Sequence, residues 1–293
     1  MGRIDDALRL ANAANAPDGA MPETARREAT FQSPWVELVE SRPPSPRQDR
    51  SQTADATAEA QEFSPEWARL LVISSKSDPA LLKQFGRLAG SLHNAQSTGG
   101  MKVVLTTSVG PGEGKTLTAM NLALTLSESY KRNVLIIDAD LRRPSLNAVC
   151  GLGHIRGLSE GLRAPQQEKL AVIKLTGTLS LLPAGRPDPD PMDGLASDRM
   201  RRIIEEASRQ FDWVILDVPP IGMVPDAGLL AAMVDAVLFV VRAEVTPLEE
   251  LQKAIDAIGK DRIFGVVLNG AREATSSDHG TYYHPHDSKA STF

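Results

Sequence analysis

Between residues 101 and 270 the apolar positions fall into short unbroken runs separated by longer stretches in which they recur every three or four residues. The runs at 101–107, 133–138, 179–182, 212–217, 236–242 and 264–268 are rich in Val, Ile and Leu. Continuous runs of that length suit strands covered on both faces, as in parallel sheets. The stretches at 117–129, 200–210 and 247–258 read as helices between them. Strand and helix alternate throughout, which predicts an α/β domain with a mostly parallel sheet and helices on both faces. No internal repeat is visible. The longest apolar run, 229–241, is broken by Asp235 and reads as a helix end followed by a buried strand, too short to span a bilayer.

Upstream, Asp78-Pro79 opens a helix over 80–93 whose buried face carries Leu81, Leu82, Phe85, Leu88 and Leu92. Trp67, Leu70, Leu71, Val72 and Ile73 form an apolar cluster before it, and Gly99-Gly100 marks the hinge into the first core strand. Residues 186–191 read as a surface loop. The ends differ in kind. Residues 1–66 are rich in Ala, Pro, Ser, Arg and Glu, with Arg42-Pro43-Pro44-Ser45-Pro46-Arg47 at the least foldable point, and read as a disordered leader. Within it Ile4, Leu8 and Ala11 stand at helical spacing, either a short helix that docks on a partner or a frayed one with no role. Residues 271–293 are Ser-, His- and Tyr-rich and read as a mobile tail, which leaves one domain over 67–270.

Composition narrows the function. A net charge of -5 gives no reason to expect a nucleic-acid partner. The single cysteine, Cys150, excludes an internal disulfide framework and reads as packing. Arg3, Asp5 and Asp6 interrupt any signal peptide, so a cytoplasmic protein is expected. No Cys/His metal site is visible, and the tail histidines His284 and His286 are too loosely placed to make one.

The chemistry concentrates where the first core strand ends, in Ser108-Val109-Gly110-Pro111-Gly112-Glu113-Gly114-Lys115-Thr116. A glycine-rich turn between a strand and a helix start lets successive backbone N–H groups face an anion, a phosphate cradle. In a P-loop, Lys115 would reach the β- and γ-phosphates and the Thr116 hydroxyl would bind Mg²⁺. The strict pattern has glycine where Val109 stands, and Gly110 and Gly112 supply the permissive backbone instead. Three acids at predicted strand ends complete the set: Asp217 in the manner of a Walker B acid, and Asp138 with Asp140 on another strand. Two carboxylates two residues apart can share a metal, or one can hold it while the other accepts a hydroxyl proton. The plainer reading is that strand-end aspartates cap the next turn.

Pro111 to Thr116, the stretch Val134 to Pro144 through Asp138-Ala139-Asp140-Leu141-Arg142-Arg143, and Val214 to Pro220 through Asp217-Val218-Pro219 together resemble the bacterial tyrosine kinases of exopolysaccharide biosynthesis. The resemblance covers roughly 78–270 and takes in Leu182-Pro183-Ala184-Gly185, Asp226-Ala227, Arg242 and Val267-Leu268-Asn269. It implies a P-loop NTPase fold, ATP and Mg²⁺ as cofactors, and transfer of the γ-phosphoryl group to tyrosine hydroxyls. It implies that Lys115 and Thr116 bind phosphate and metal within Gly110, Pro111, Gly112, Glu113 and Gly114, that Asp138, Asp140 and Asp217 serve metal and catalysis, and that Asn269 contacts adenine. The start, Met-Gly-Arg-Ile-Asp-Asp-Ala-Leu, is similar to that of the exosortase-associated tyrosine autokinases.

Two departures matter. The family's ring-assembly glutamate and two arginines are replaced by Lys83, Gly86 and Ala89, which leaves oligomer formation open. The family's tyrosine-rich tail is reduced to Tyr282 and Tyr283, candidate phosphoacceptors in trans or inert tail residues. The resemblance further implies a separate inner-membrane polysaccharide co-polymerase or activator that recruits the protein to the membrane's inner face. A nucleotide-binding switch, or an ATPase of the same fold without protein substrates, is the alternative reading.

Overall fold

A computed structural model describes residues 35–38, 63–72, 77–165 and 169–271. The candidate tyrosines Tyr282 and Tyr283, the Ile4–Ala11 pattern and the first eight residues lie outside the described residues. Eight strands form one sheet in the order β1-β4-β5-β3-β6-β2-β7-β8. They are β1 Trp35–Leu38, β2 Val103–Ser108, β3 Val134–Asp138, β4 Leu170–Lys174, β5 Leu179–Leu182, β6 Trp213–Asp217, β7 Ala236–Arg242 and β8 Ile263–Asn269. Every pairing is parallel except β4 with β5, which confirms the predicted mostly parallel α/β sheet.

The helices are α1 Pro65–Ala68, α2 Pro79–Gly99, α3 Lys115–Glu128, α4 Leu146–Val149, α5 Leu158–Arg163, α6 Met192–Leu195, α7 Asp198–Gln210, α8 Asp226–Ala231 and α9 Leu248–Ile258. Alternate side chains of each central strand serve opposite cores. Val103, Leu135, Ile137, Val214, Leu216, Val237 and Phe239 join one cluster with α7, α8 and α9. Val104, Val134, Ile136, Trp213, Ile215 and Leu238 join the other with α2 and α3. With both faces buried, period-two alternation of apolar and polar residues is lost and the strands read as continuous runs. The α3 helix is buried on every side from Thr118 to Ser127, so it carries no polar stripe.

The structure corrects the reading in four places, the first being Leu82, which was expected on the buried face of α2 and is exposed. The stretch read as a disordered leader contains β1, whose backbone pairs in register with Leu170–Ile173 of β4, and α1 begins at Pro65 inside the same stretch. Strand β4 was not expected; Leu170, Val172 and Ile173 supply its buried residues, and it turns back through residues 175–178 to run antiparallel to β5. The 186–191 loop is not wholly superficial, because Asp188 is buried and accepts hydrogen bonds from Arg163 Nη2 at 2.6 Å and from the Asp190 backbone N–H at 3.0 Å.

Asp78 caps α2 as anticipated, its side chain accepting from the Ala80 N–H at 2.9 Å. Asp78→Ala should lower unfolding stability by about 1 kcal/mol in a denaturant titration, and Asp78→Ser should restore most of it.

Candidate active site

Strand β2 delivers the glycine loop into α3 from the middle of the sheet, between β6 and β7. Gly112 and Gly114 sit at φ 75° and 95°, the left-handed region a side chain would strain. A Cβ at Gly114 would also stand 2.0 Å from Asn269 Nδ2. Both glycines are thus required by the backbone path that carries the chain over the α3 N-terminus.

The three aspartates converge because their strands end side by side. Asp138 and Asp217 are register partners on β3 and β6, and the Ala139 N–H donates to the Asp217 carbonyl at 2.9 Å. Lys115 Nζ lies 2.9 Å from Asp140 Oδ2 and 3.3 Å from Asp217 Oδ1. The Thr116 hydroxyl donates to Asp217 Oδ2 at 2.6 Å and lies 3.1 Å from Ser145 Oγ. Asp138 Oδ2 accepts from the Ser145 and Leu146 N–H groups at 3.1 and 3.0 Å, while its Oδ1 is buried without a hydrogen-bond partner. Asp140 Oδ1 accepts from the Arg143 N–H at 3.1 Å.

Solvent exposure of Asp138, Asp140 and Asp217 is 0%, 4% and 0%, so three carboxylates share one ammonium almost out of water. The electrostatics follow. Burial, and then the neighbouring Asp217, push Asp138 up to about 7. Burial likewise raises Asp217, with Lys115 pulling the other way. For Lys115 burial opposes the charge, but Asp217 and Asp140 outweigh it and its pKa stands above the ordinary lysine value. Lys115, Thr116, Asp140, Arg142 and Arg143 line a cavity of ≈ 470 Å³ beside the loop. Among the described residues no group of three or more His, Cys, Asp or Glu could cage a metal by itself.

Some members of the site were not singled out in the sequence. Thr246, in the loop after β7, donates to Glu113 Oε1 at 2.6 Å and accepts from the Arg242 N–H at 2.9 Å. Glu113 Oε2 accepts from the Val109 N–H at 2.9 Å, and the Glu113 carbonyl accepts from Asn269 Nδ2 at 2.8 Å. The Glu113 carboxylate thus braces the loop from outside, and Asn269 reaches the loop from the end of β8. Ser145 and the Arg142–Asp226 pair also emerge only from the structure: Arg142 Nε and Nη2 donate to Asp226 at 2.8 and 3.2 Å, and Nη1 donates to the Pro189 carbonyl. Cys150 is buried, and burial raises its thiol to about 12, which fits a packing residue. Of the three ring-assembly positions, Lys83 is exposed, whereas Ala89 is fully buried on α2 and the Gly86 carbonyl accepts from the Tyr130 hydroxyl at 3.2 Å.

A glycine loop from a central strand, whose lysine meets strand-end acids across a mostly parallel sheet, defines a P-loop NTPase fold. The family model described as cellulose biosynthesis protein BcsQ matches residues 101–260. Tyrosine-protein kinase YwqD of Bacillus subtilis (strain 168) is 35% identical over 185 residues, 62% of this chain and 78% of YwqD. Tyrosine-protein kinase Wzc of Salmonella typhimurium is 33% identical over 227 residues, 75% of this chain but only 31% of Wzc. The kinase domain of the Escherichia coli tyrosine kinase Etk superposes with a TM-score of 0.65 at 29% identity, covering 73% of this chain and 84% of that one. The chain belongs to the bacterial tyrosine-protein kinase family.

Two outcomes test this description. Thr246→Val leaves a buried Glu113 oxygen without its donor and should cost about 1–3 kcal/mol in denaturant unfolding, with Thr246→Ser close to wild type. Because burial holds the folded-state pKa of Asp138 above the ordinary aspartate value, its protonation favours the folded state in acid. That contribution is complete below about 4 and is lost as pH rises through about 7. In metal- and nucleotide-free protein, Asp138→Asn should therefore flatten the fall in stability between those values; an unchanged pH profile would contradict the assignment.

Proposed function

We propose that the protein is an ATP-dependent protein-tyrosine kinase of exopolysaccharide synthesis or export, which moves the γ-phosphoryl group of ATP to tyrosine hydroxyls. The observation that supports it most is the contact of Lys115 with Asp140 and Asp217 at the lip of a glycine loop, in a chain related to tyrosine-protein kinases over most of its described length. The backbone N–H groups of Gly112 to Thr116 cradle the phosphates, and Lys115 leaves its carboxylates for the phosphoryl oxygens as the nucleotide enters.

The donor set fits Mg²⁺. One ammonium leaves an excess of buried negative charge, Asp138 Oδ1 has no partner, and Mg²⁺ binds through one or two protein oxygens while keeping several waters. Thr116 would hold it directly, with Asp138 and Asp217 on the same side, and when bound it neutralises charge developing on the transferred group. Asp140 lines the cavity and is the carboxylate an entering hydroxyl meets. It takes the phenolic proton while the phenolic oxygen bonds to phosphorus and the bond to the β-phosphate oxygen breaks, releasing ADP. Asn269, held against the loop at Glu113, serves the adenine end.

No helix among the described residues is long and apolar enough to cross a membrane. We place membrane association, and activation, with a separate inner-membrane partner, and take Tyr282 and Tyr283 as the acceptors in the chain's own tail. The exposed Lys83 and buried Ala89 leave little of the family's charged assembly surface on α2.

Purified protein with ATP and Mg²⁺ should acquire phosphotyrosine, and Lys115→Met should lower the rate about a hundredfold or more. A Tyr282→Phe/Tyr283→Phe variant should lose self-labelling yet still phosphorylate an added tyrosine peptide. Labelling that survives Lys115→Met, or its absence even with the membrane activator present, would count against the kinase; nucleotide-dependent partner binding with no phosphotyrosine would favour the switch reading instead.

A further inference from the structure

The cavity beside the phosphate loop is lined by two unlike sets of residues. One is polar, with Gly112, Gly114, Lys115, Thr116, Asp140, Arg142 and Arg143. The other is apolar, built from Trp67, Leu117, Pro219, Pro220, Met223 and Val224. A triphosphate and its metal gain nothing from an apolar wall. Asn269, the residue proposed for adenine, reaches the loop at Glu113 and is not among the residues that line this cavity. The apolar residues thus share one cavity with Lys115, Thr116 and Asp140, whereas Asn269 does not line it.

The wall is held by specific contacts. The Thr107 hydroxyl donates to the Pro219 carbonyl at 2.9 Å, and the Ile221 N–H donates to the Ser108 carbonyl at 2.9 Å, so the 219–224 segment is anchored to β2. On the other flank, the buried Asn121 of α3 receives the Val72 N–H at 2.9 Å and donates to the Leu70 carbonyl at 3.0 Å. That pair ties the segment bearing Trp67 to the helix that begins at Lys115. Met223 is 57% exposed, a large apolar side chain at the mouth of a polar site.

We propose that this wall seats the aromatic ring of the acceptor tyrosine, with Trp67 and Met223 as its principal contacts; the inference rests on the kinase reading above. A phenol matches both sides at once. Its ring gains stacking on an indole and contact with a polarizable thioether, and its hydroxyl projects toward Asp140 and Lys115. A cavity of ≈ 470 Å³ lies within the range of ligand sites and holds a ring together with a phosphoryl group. Serine and threonine have no ring to place against the wall, so selection for tyrosine follows from burial rather than from hydroxyl chemistry.

Steady-state transfer from ATP to a short peptide carrying one tyrosine, using the full chain, tests this. Met223→Ser changes an exposed side chain and does not endanger folding. It and Trp67→Ala should each raise the KM for the peptide about tenfold, and Trp67→Phe should recover to within about threefold of wild type. The KM for ATP, measured in parallel, should move far less than that for the peptide. Loss confined to the KM for ATP would mean that the wall seats the adenine ring, and unchanged values for both would mean that it seats neither; each overturns the inference while the kinase reading stands. Wild-type protein that binds ATP but transfers to no tyrosine even with the membrane activator present would remove the kinase reading and this inference with it.

Discussion

Three buried carboxylates facing a single ammonium govern this molecule. Asp138, Asp140 and Asp217 are almost wholly removed from water, and Lys115 compensates two of them directly. An arrangement with surplus buried negative charge is tolerated only by proton uptake or by a further cation, because desolvated charges are costly unless paired. Both routes are visible: Asp138 is pushed toward neutrality, and its Oδ1 has no partner. That electrostatic imbalance fits the Mg²⁺ and triphosphate proposed for the site.

The fold is what makes this concentration of charge possible. Parallel strands that end at one edge of the sheet bring acids distant in sequence into register, as Asp138 and Asp217 are on β3 and β6. Strand β2 sits beside β6, so the glycine loop and Lys115 arrive at the same edge. Tight burial of both sheet faces keeps those strand ends from shifting, and Thr246 and Asn269 hold the loop from the ends of β7 and β8. Thus the core fixes the positions that the site then exploits.

Much of this was legible in the chain. Central strands announce themselves because both faces are buried, and the P-loop and strand-end acids because their spacing is local. What stayed hidden depends on partners far apart in sequence. Thr246 carries no motif and acquires its meaning from Glu113, 133 residues away. Strand β4 is a short edge-side element whose antiparallel pairing depends on the turn before β5. Strand β1 is four residues in a polar, proline-containing stretch, too short to register as a period. Trp67 could be read as an apolar cluster member, but not as a cavity wall, since that role exists only once its segment is tied to Asn121. The absence of a polar stripe on α3 likewise follows from burial on every side.

The central claim is that a metal-bound triphosphate occupies the space between the glycine loop and the three aspartates. A crystal structure of the full chain with a non-hydrolysable ATP analogue and Mn²⁺, with the metal located by its anomalous signal, tests it most directly. The account predicts manganese bonded to the Thr116 hydroxyl on the side facing Asp138 and Asp217, with Lys115 turned onto the phosphates. Manganese elsewhere, or a nucleotide that leaves Lys115 on Asp140 and Asp217, would contradict it.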